Sequence, residues 1–368
     1  MAKSKTPSPK LMVGAAQAAD LPQLKKLVAA GGDLNASHRG YRGLHALIQT
    51  KPHARATVPS SQQIACFKWM LKNGADPELL GAWPPARAIL VAAIVGSQEY
   101  VDVLTKAGAK IDVFVSAALG DVASVTSAIA SRFTVPTDRD AGGLTALQCA
   151  AASRMGREDA AVRHQLIEIA TALLNAGAEP EARTQSWGHD VDAVYFAASA
   201  HHVEMFELLL RRGADPTRAM VPAIWNGGDR FESLANAALA FGADVNSTVS
   251  EGRPLLNDLI RWGQFTQALW LLKHGADPNR EQNPEESHVE IHIGTESTND
   301  VARTLATTVG WTALHQAASR GNARMVEALI AAGAEVYRID HAGRTPYDVA
   351  NAAPLRALLR KARGIIHS

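Results

Sequence analysis

GWTALHQAASRGNARMVEALIAAGAEVYR, Gly310 to Arg338, is the stretch that decides how the chain is read. It holds two short helical patterns, TALHQAASR and ARMVEALIAA, each closed by a glycine, Gly321 and Gly333. Glycine enters the left-handed conformation that ends a helix without the clash a Cβ brings, so both are stop signals. Thr312 stands where an N-cap is needed, its hydroxyl placed to accept from an unpaired backbone N–H of the first turn. In the second pattern Met325, Leu329 and Ile330 share one helical face. The predicted unit is helix, turn, helix and extended loop.

The second glycine belongs to a phrase that recurs along the chain. It appears as NGADPEL at Asn73, AGAKID at Ala107, AGAEPEA at Ala176, RGADPTR at Arg212, FGADVNS at Phe241, HGADPNR at His274 and AGAEVYR at Ala332. Gly74 and Gly108 are 34 residues apart, and Gly242 and Gly275 are 33 apart. The period is therefore about 33 residues, the length of a small helical repeat. Two intervals run long, 42 residues from Gly32 to Gly74 and 58 from Gly275 to Gly333, and these predict insertions. A unit this short cannot bury its own apolar face, so it must stack on neighbours. That resolves the length: 368 residues exceed one ordinary core but suit an array.

The opening stretch, with GLTALQCAAAS at Gly143 and GRTPYDVA at Gly343, resembles the ankyrin repeat family. The resemblance extends, with decay, over roughly residues 11 to 363. It implies an all-α solenoid of about ten helix-turn-helix units, with β-hairpin loops along one edge. It also implies a turn-stabilising hydrogen-bond role for His315 and a non-catalytic scaffold that holds a partner protein in a concave groove. An inhibitor or immunity-type protein is one version of that role.

The expected organisation is a basic, disordered tail over residues 1–10, one array over 11–364, and a short tail over 365–368. Insertions are expected at about 51–61, 154–164 and 281–306. The segment VFVSAALGDVASVTSAIASRF lacks the glycine tag, and WNGGDRFES predicts an irregular turn. Arg356, Arg360, Lys361 and Arg363 would solvate the outer side of a final capping helix, as repeat ends require. The apolar LMVGAAQAA after Lys3, Lys5 and Lys10 superficially resembles a secretory leader, but it continues into the first helix pair.

Composition narrows the function. With 37 Lys plus Arg against 36 Asp plus Glu, no bulk field draws the chain to nucleic acid or anionic lipid. No apolar run reaches the roughly 18 residues of a membrane span, so no membrane insertion is expected. Cys66 and Cys149 lie far apart inside apolar helical patterns, which favours reduced core residues and a cytoplasmic location. Nucleotide loops, nucleophile elbows, H-E-x-x-H and C-x-x-C are missing, and the H-x-E pairs at His202 and His288 have no cysteine partners. Neither a catalytic residue nor a cofactor is expected.

Tryptophan carries the functional signal. The residue between the hairpin glycine and the capping threonine makes no predicted stacking contact, so the fold does not demand Trp311. Trp262 falls at the end of a first helix, Trp225 and Asn226 at the same place one unit earlier, and Trp187 and Trp83 in hairpins. In the resembled family these surfaces line the groove. Tryptophan and arginine dominate interface hot spots. Trp187, Trp225, Asn226, Arg253, Arg261, Trp262, Trp311 and Arg320 are therefore the expected partner-binding strip, and exposed tryptophans also permit self-association. The competing expectation is that the insertion beside Trp311 covers it. Trp69 and Trp270 sit five residues before a tag glycine and are expected to pack between second helices.

The insertion EQNPEESHVEIHIGTESTND, residues 281–300, holds six acidic side chains and no Lys or Arg. It is expected to screen or gate the strip. A strand through HVEIH would put His288, Glu290 and His292 on one face, the ligand set of a two-histidine, one-carboxylate site. That set, with His164, defines the alternative: a solenoid carrying a metal or catalytic site in its insertions. Three ligands on one short strand lack outer support, so no metal is expected.

Overall fold

The structure is a computed structural model that describes residues 6–49, 58–82, 85–186, 189–249, 252–283 and 308–366. The chain divides into two compact units, residues 1–214 with 226–231, and residues 215–225 with 232–368.

In the first unit the helices come as consecutive pairs: α1 (Pro9–Gln17) with α2 (Leu21–Ala29), α3 (Gly43–Ile48) with α4 (Ser61–Lys72), and α5 (Ala88–Val95) with α6 (Gln98–Lys106). There follow α7 (Val113–Leu119) with α8 (Val122–Ser131), α9 (Ala146–Ala152) with α10 (Ala160–Asn175), and α11 (Ala193–Ser199) with α12 (Val203–Arg211). First helices pack on first helices, as α7 does on α9 and α9 on α11. Their alanines are the reason: Ala117, Ala118, Ala150, Ala151, Ala197 and Ala198 are fully buried where helix backbones approach closely. Short antiparallel hairpins, Ser37–His38 with Tyr41–Arg42 and Thr184–Ser186 with His189–Val191, precede α3 and α11.

The second unit repeats the plan with α13 (Pro216–Asn226) and α14 (Phe231–Ala240), α15 (Leu255–Arg261) and α16 (Phe265–Lys273), α17 (Ala313–Arg320) and α18 (Ala323–Ala331), and α19 (Pro346–Val349) and α20 (Ala353–Ile366). The hairpin Thr248–Val249 with Arg253–Pro254 precedes α15. α15 packs on α17 and α17 on α19. The order of elements is the all-α, helix-turn-helix array with hairpin loops that the recurring phrase predicts.

Every tag glycine from Gly74 to Gly333 has the positive φ its stop role requires, and α8, which lacks the tag, ends instead on extended Arg132. In the first unit of the repeat the left-handed residue is Gly31, one position before the Gly32 used to measure the period. Gly32 is tight for another reason, since a Cβ there would meet the Leu27 carbonyl oxygen at 2.8 Å.

Two insertion boundaries and one tail boundary shift. Ser60 and Gln63 form a capping box at the start of α4, so the last residues of the 51–61 segment already belong to a helix. α10 starts at Ala160 behind its cap Asp159, shortening the 154–164 loop. α1 begins at Pro9, inside the stretch expected as a tail. WNGGDRFES contains the expected irregular turn, a 3-10 turn over Gly228–Arg230. Cys66 and Cys149 are buried free thiols, and no helix of the described residues is long and apolar enough to cross a membrane.

Candidate functional site

A repeated polar staple sets the geometry. The third residue of four first helices reaches a backbone carbonyl in the following hairpin: His45 Nε2 to Ala86 O at 2.9 Å, Gln148 Nε2 to Ala182 O at 2.6 Å, Asn257 Nδ2 to Trp311 O at 2.9 Å and His315 Nε2 to Arg344 O at 3.0 Å. The Ala86, Trp311 and Arg344 carbonyls also take a backbone N–H, from Gly81, Gln282 and Asp340, so the staple occupies their second lone pair. His315 Nδ1 accepts from Thr312 Oγ1 at 2.9 Å while Nε2 donates to Arg344 O, so the ring is neutral. Burial, first of all, holds its imidazole below the usual range. It has the turn-stabilising role predicted for it.

Trp311 sits inside this network and not on the surface. It is 9% exposed, its Nε1 donates to Asp340 Oδ2 at 3.0 Å, its ring stacks on His315, and Arg344 lies 5.9 Å over it. Its carbonyl also accepts from Gln282 N at 3.2 Å, and Thr308 Oγ1 donates to Gln282 Oε1 at 3.1 Å. The described ends of the long insertion thus close over it, and the expectation of a free position fails. Arg253 fails likewise: it is 8% exposed and its Nη1 meets Asp258 Oδ1 at 2.8 Å, both side chains buried. Neither can meet a partner without unpacking the second unit.

A motif that the sequence reading passed over explains the clamp. Asp340 in DHAGRT and Asp140 in DAGGLT each fold the hairpin by accepting two backbone N–H groups on Oδ1, from Ala342 and Arg344 and from Gly142 and Leu144. Burial pushes both carboxyls up. For Asp140 burial prevails; for Asp340 the hydrogen bonds of the Arg344 backbone and guanidinium and of the Trp311 indole outweigh it and hold the carboxyl below its usual range. Asp140 has Leu144 where Asp340 has Arg344, and Asp112 pushes the Asp140 carboxyl further up.

The first-helix ends of the second unit remain open to solvent. Arg261 ends α15, Trp262 is its C-cap, and the guanidinium lies 5.6 Å over the indole. Both side chains are half-buried, and Arg320 at the end of α17 is exposed. A cation in the last turn faces the negative end of the helix dipole, so these arginines suit their places before any partner is considered. Trp225, at the end of α13, is half-buried, and its Nε1 is enclosed without a hydrogen-bond partner among the described residues. Asn226 belongs to the first unit, its Nδ2 3.5 Å from Tyr195 Oη. Of the residues expected in the strip, Trp225, Arg261, Trp262 and Arg320 are the ones in the second unit whose side chains are half-buried or exposed. Trp187 and Trp83 lie outside the described residues.

Trp270 is buried and stacks at 3.8 Å on His274, the C-cap of its own helix, while Trp69 is half-buried. His288, Glu290 and His292 lie outside the described residues, and His164 is exposed on α10. Among the described residues no three His, Cys, Asp or Glu side chains converge as metal ligands.

Residues 309–341 match the sequence model of the ankyrin repeat family, a window that contains Trp311, His315, Gly321, Gly333 and Asp340. The crystal structure of the human ASB11 ankyrin repeat domain is similar to this chain at 18% identity and a TM-score of 0.45, covering 68% of this chain and 98% of that domain. The ankyrin repeat domain of Bcl-3, a member of the IkappaB protein family, is similar at 19% identity and a TM-score of 0.47, with the same two coverages. No curated protein matches the chain.

Proposed function

We propose that this chain, an ankyrin repeat protein by the match at residues 309–341, is a non-catalytic scaffold that binds another protein through the first-helix ends of its second unit. Ankyrin repeats generally serve as protein–protein interaction modules. The observation that carries the reading is the Arg261–Trp262 pair: a large aromatic face and a charged group held together at a half-exposed helix end. Arg320 extends that surface on the helix packed next to it. Such pairs supply much of the energy in interfaces because they bury wide apolar area and still offer directed hydrogen bonds. The clamp around Trp311 supports it by fixing α15 and α17 in register, which lowers the ordering cost of association.

The near-neutral charge argues against nucleic acid as the partner, and two buried free thiols suit a reducing compartment such as the cytoplasm. A photo-crosslinking residue at position 262 tests the site, with the same residue at position 324 on α18 as the control. A partner crosslinked from 262 and not from 324 supports the reading. The reverse pattern moves the interface to the second helices. A crosslinked dimer of the chain would identify a second copy as the partner.

A further inference from the structure

In the first unit, His201 departs from the pattern that other repeats set. The turn between first and second helix passes through a left-handed residue, and this is Gly96, Gly120, Gly263 and Gly321 in four of the pairs. After α11 the same place holds His201, with φ of 61°. A side chain there carries backbone strain, and such strain persists where surrounding contacts hold it. Ala19 is the other exception, and its methyl is buried. His201 instead carries its ring into a cluster of charges.

His201 Nδ1 lies 2.9 Å from Asp229 Oδ1, and Arg157 Nη2 lies 3.5 Å from the same oxygen. Arg154 stands behind them, its Nη2 donating to Ser199 O at 2.7 Å. The imidazole packs so closely on Gly228 that a Cβ there would meet its Cε1 at 2.3 Å. Arg157 and His201 are mostly enclosed, but Asp229 is half-exposed on the short 3-10 turn that follows Gly227. Arg157 and His201 both meet the Asp229 carboxylate, and Arg154 lies near enough to act on the His201 ring. Burial and then the two arginines hold His201 below its usual range, and its Nδ1 faces both Asp229 Oδ1 at 2.9 Å and Arg157 Nη2 at 3.3 Å.

We propose that His201 and Arg157 form a carboxylate-binding site for an acidic segment of a partner polypeptide, and that Asp229 occupies this site in the free chain. The proposal rests on reading the chain as a binding module but on residues separate from the tryptophan strip. A carboxylate is the chemistry indicated because a carboxylate is what the two donors already share. Its place on a three-residue turn beside two glycines lets it yield to a competitor with little backbone cost. A partner that supplies the carboxylate would relieve the turn and keep both donors satisfied.

The test is a fluorescence-anisotropy titration with a labelled peptide of alternating glutamate and glycine, using the full chain and three variants. Asp229→Asn removes the competitor and is expected to tighten binding by about tenfold, while Arg157→Ala weakens it by at least about tenfold. His201→Gly, the residue other repeats use here, is expected to weaken binding while the Tm stays level or rises. Trp262→Ala should leave this affinity unchanged, so failure of the strip and failure of this site are told apart. Unchanged affinity in Asp229→Asn, or no binding by either it or the native chain, overturns the proposal. So does a fall in Tm for His201→Gly with affinity intact, which makes the cluster a structural tie. Tighter binding of a labelled oligo-dT than of the peptide would assign the cluster to nucleic acid instead.

Discussion

The indole Nε1 of Trp311 donates to Asp340 Oδ2 at 3.0 Å, tying the residue ahead of one first helix to the hairpin that opens the next repeat. The same carboxylate takes the Arg344 guanidinium at 2.7 Å and two backbone N–H groups. Trp311 is therefore an internal strut. Its large size reflects the space enclosed by His315, Arg344 and the ends of the insertion.

Trp311→Ala should destabilise the chain by about 3–5 kcal/mol, the usual cost of emptying a buried aromatic site. Trp311→Phe keeps most of the ring and loses only the donor, so about 1 kcal/mol is expected. Urea unfolding of both variants checks the pair. Equal, small losses would mean that the indole is not packed as described.

Trp262→Ala should behave oppositely. Its ring is half-exposed under Arg261 at the end of α15, so unfolding free energy should change by less than about 1 kcal/mol while partner affinity falls by about 2 kcal/mol or more. Denaturation and a binding isotherm on the same preparation separate these effects.

Arg253→Ala removes the 2.8 Å partner of a buried carboxylate, Asp258, and should cost about 3 kcal/mol. Replacing both members with methionine and leucine should recover much of it, because the pair's own desolvation is then also removed. A double-mutant cycle in urea measures the coupling.

Acid should weaken the fold through two buried histidines. Burial holds the imidazoles of His45 and His202 down to about 4, from an ordinary 6.5. Between those values the unfolded chain binds protons that the folded chain refuses. Stability is thus highest above pH 6.5, falls as pH drops toward 4, and levels for these groups below it. The loss is about 3 kcal/mol for each histidine. His202→Asn retains an acceptor for the Met205 N–H that His202 Nδ1 now caps, and should remove this histidine's share of the slope. Tm measured from pH 7.5 to 4.5 reads it directly.

The repeat was legible because its signals are local. A glycine that must adopt positive φ, a capping threonine and alanines at helix contacts each act within a few residues, so Gly333, Thr312 and Ala317 mark their elements wherever the unit falls. The candidate site was harder, since burial of a hairpin residue is decided by the next repeat. Trp311 is enclosed by Asp340 and Arg344, 29 and 33 positions later, and by Gln282, 29 positions earlier. Arg253 was misread for a different reason: its partner Asp258 is near in sequence, but it pairs only because α15 turns the carboxylate back over the hairpin. The D-x-x-G-x-T phrase shared by Asp140 and Asp340 was the available clue to the hairpin clamp. His201 could also have been noticed, as the histidine standing where neighbouring repeats have glycine.

The most direct test of the binding edge is quantitative co-purification from native cell extract, comparing the full chain with an Arg261→Ala, Trp262→Ala, Arg320→Ala variant whose thermal unfolding matches it. The account predicts a protein retained by the native chain and lost from the variant. Equal retention by both would contradict it, and would remove the first-helix ends of the second unit from the interface.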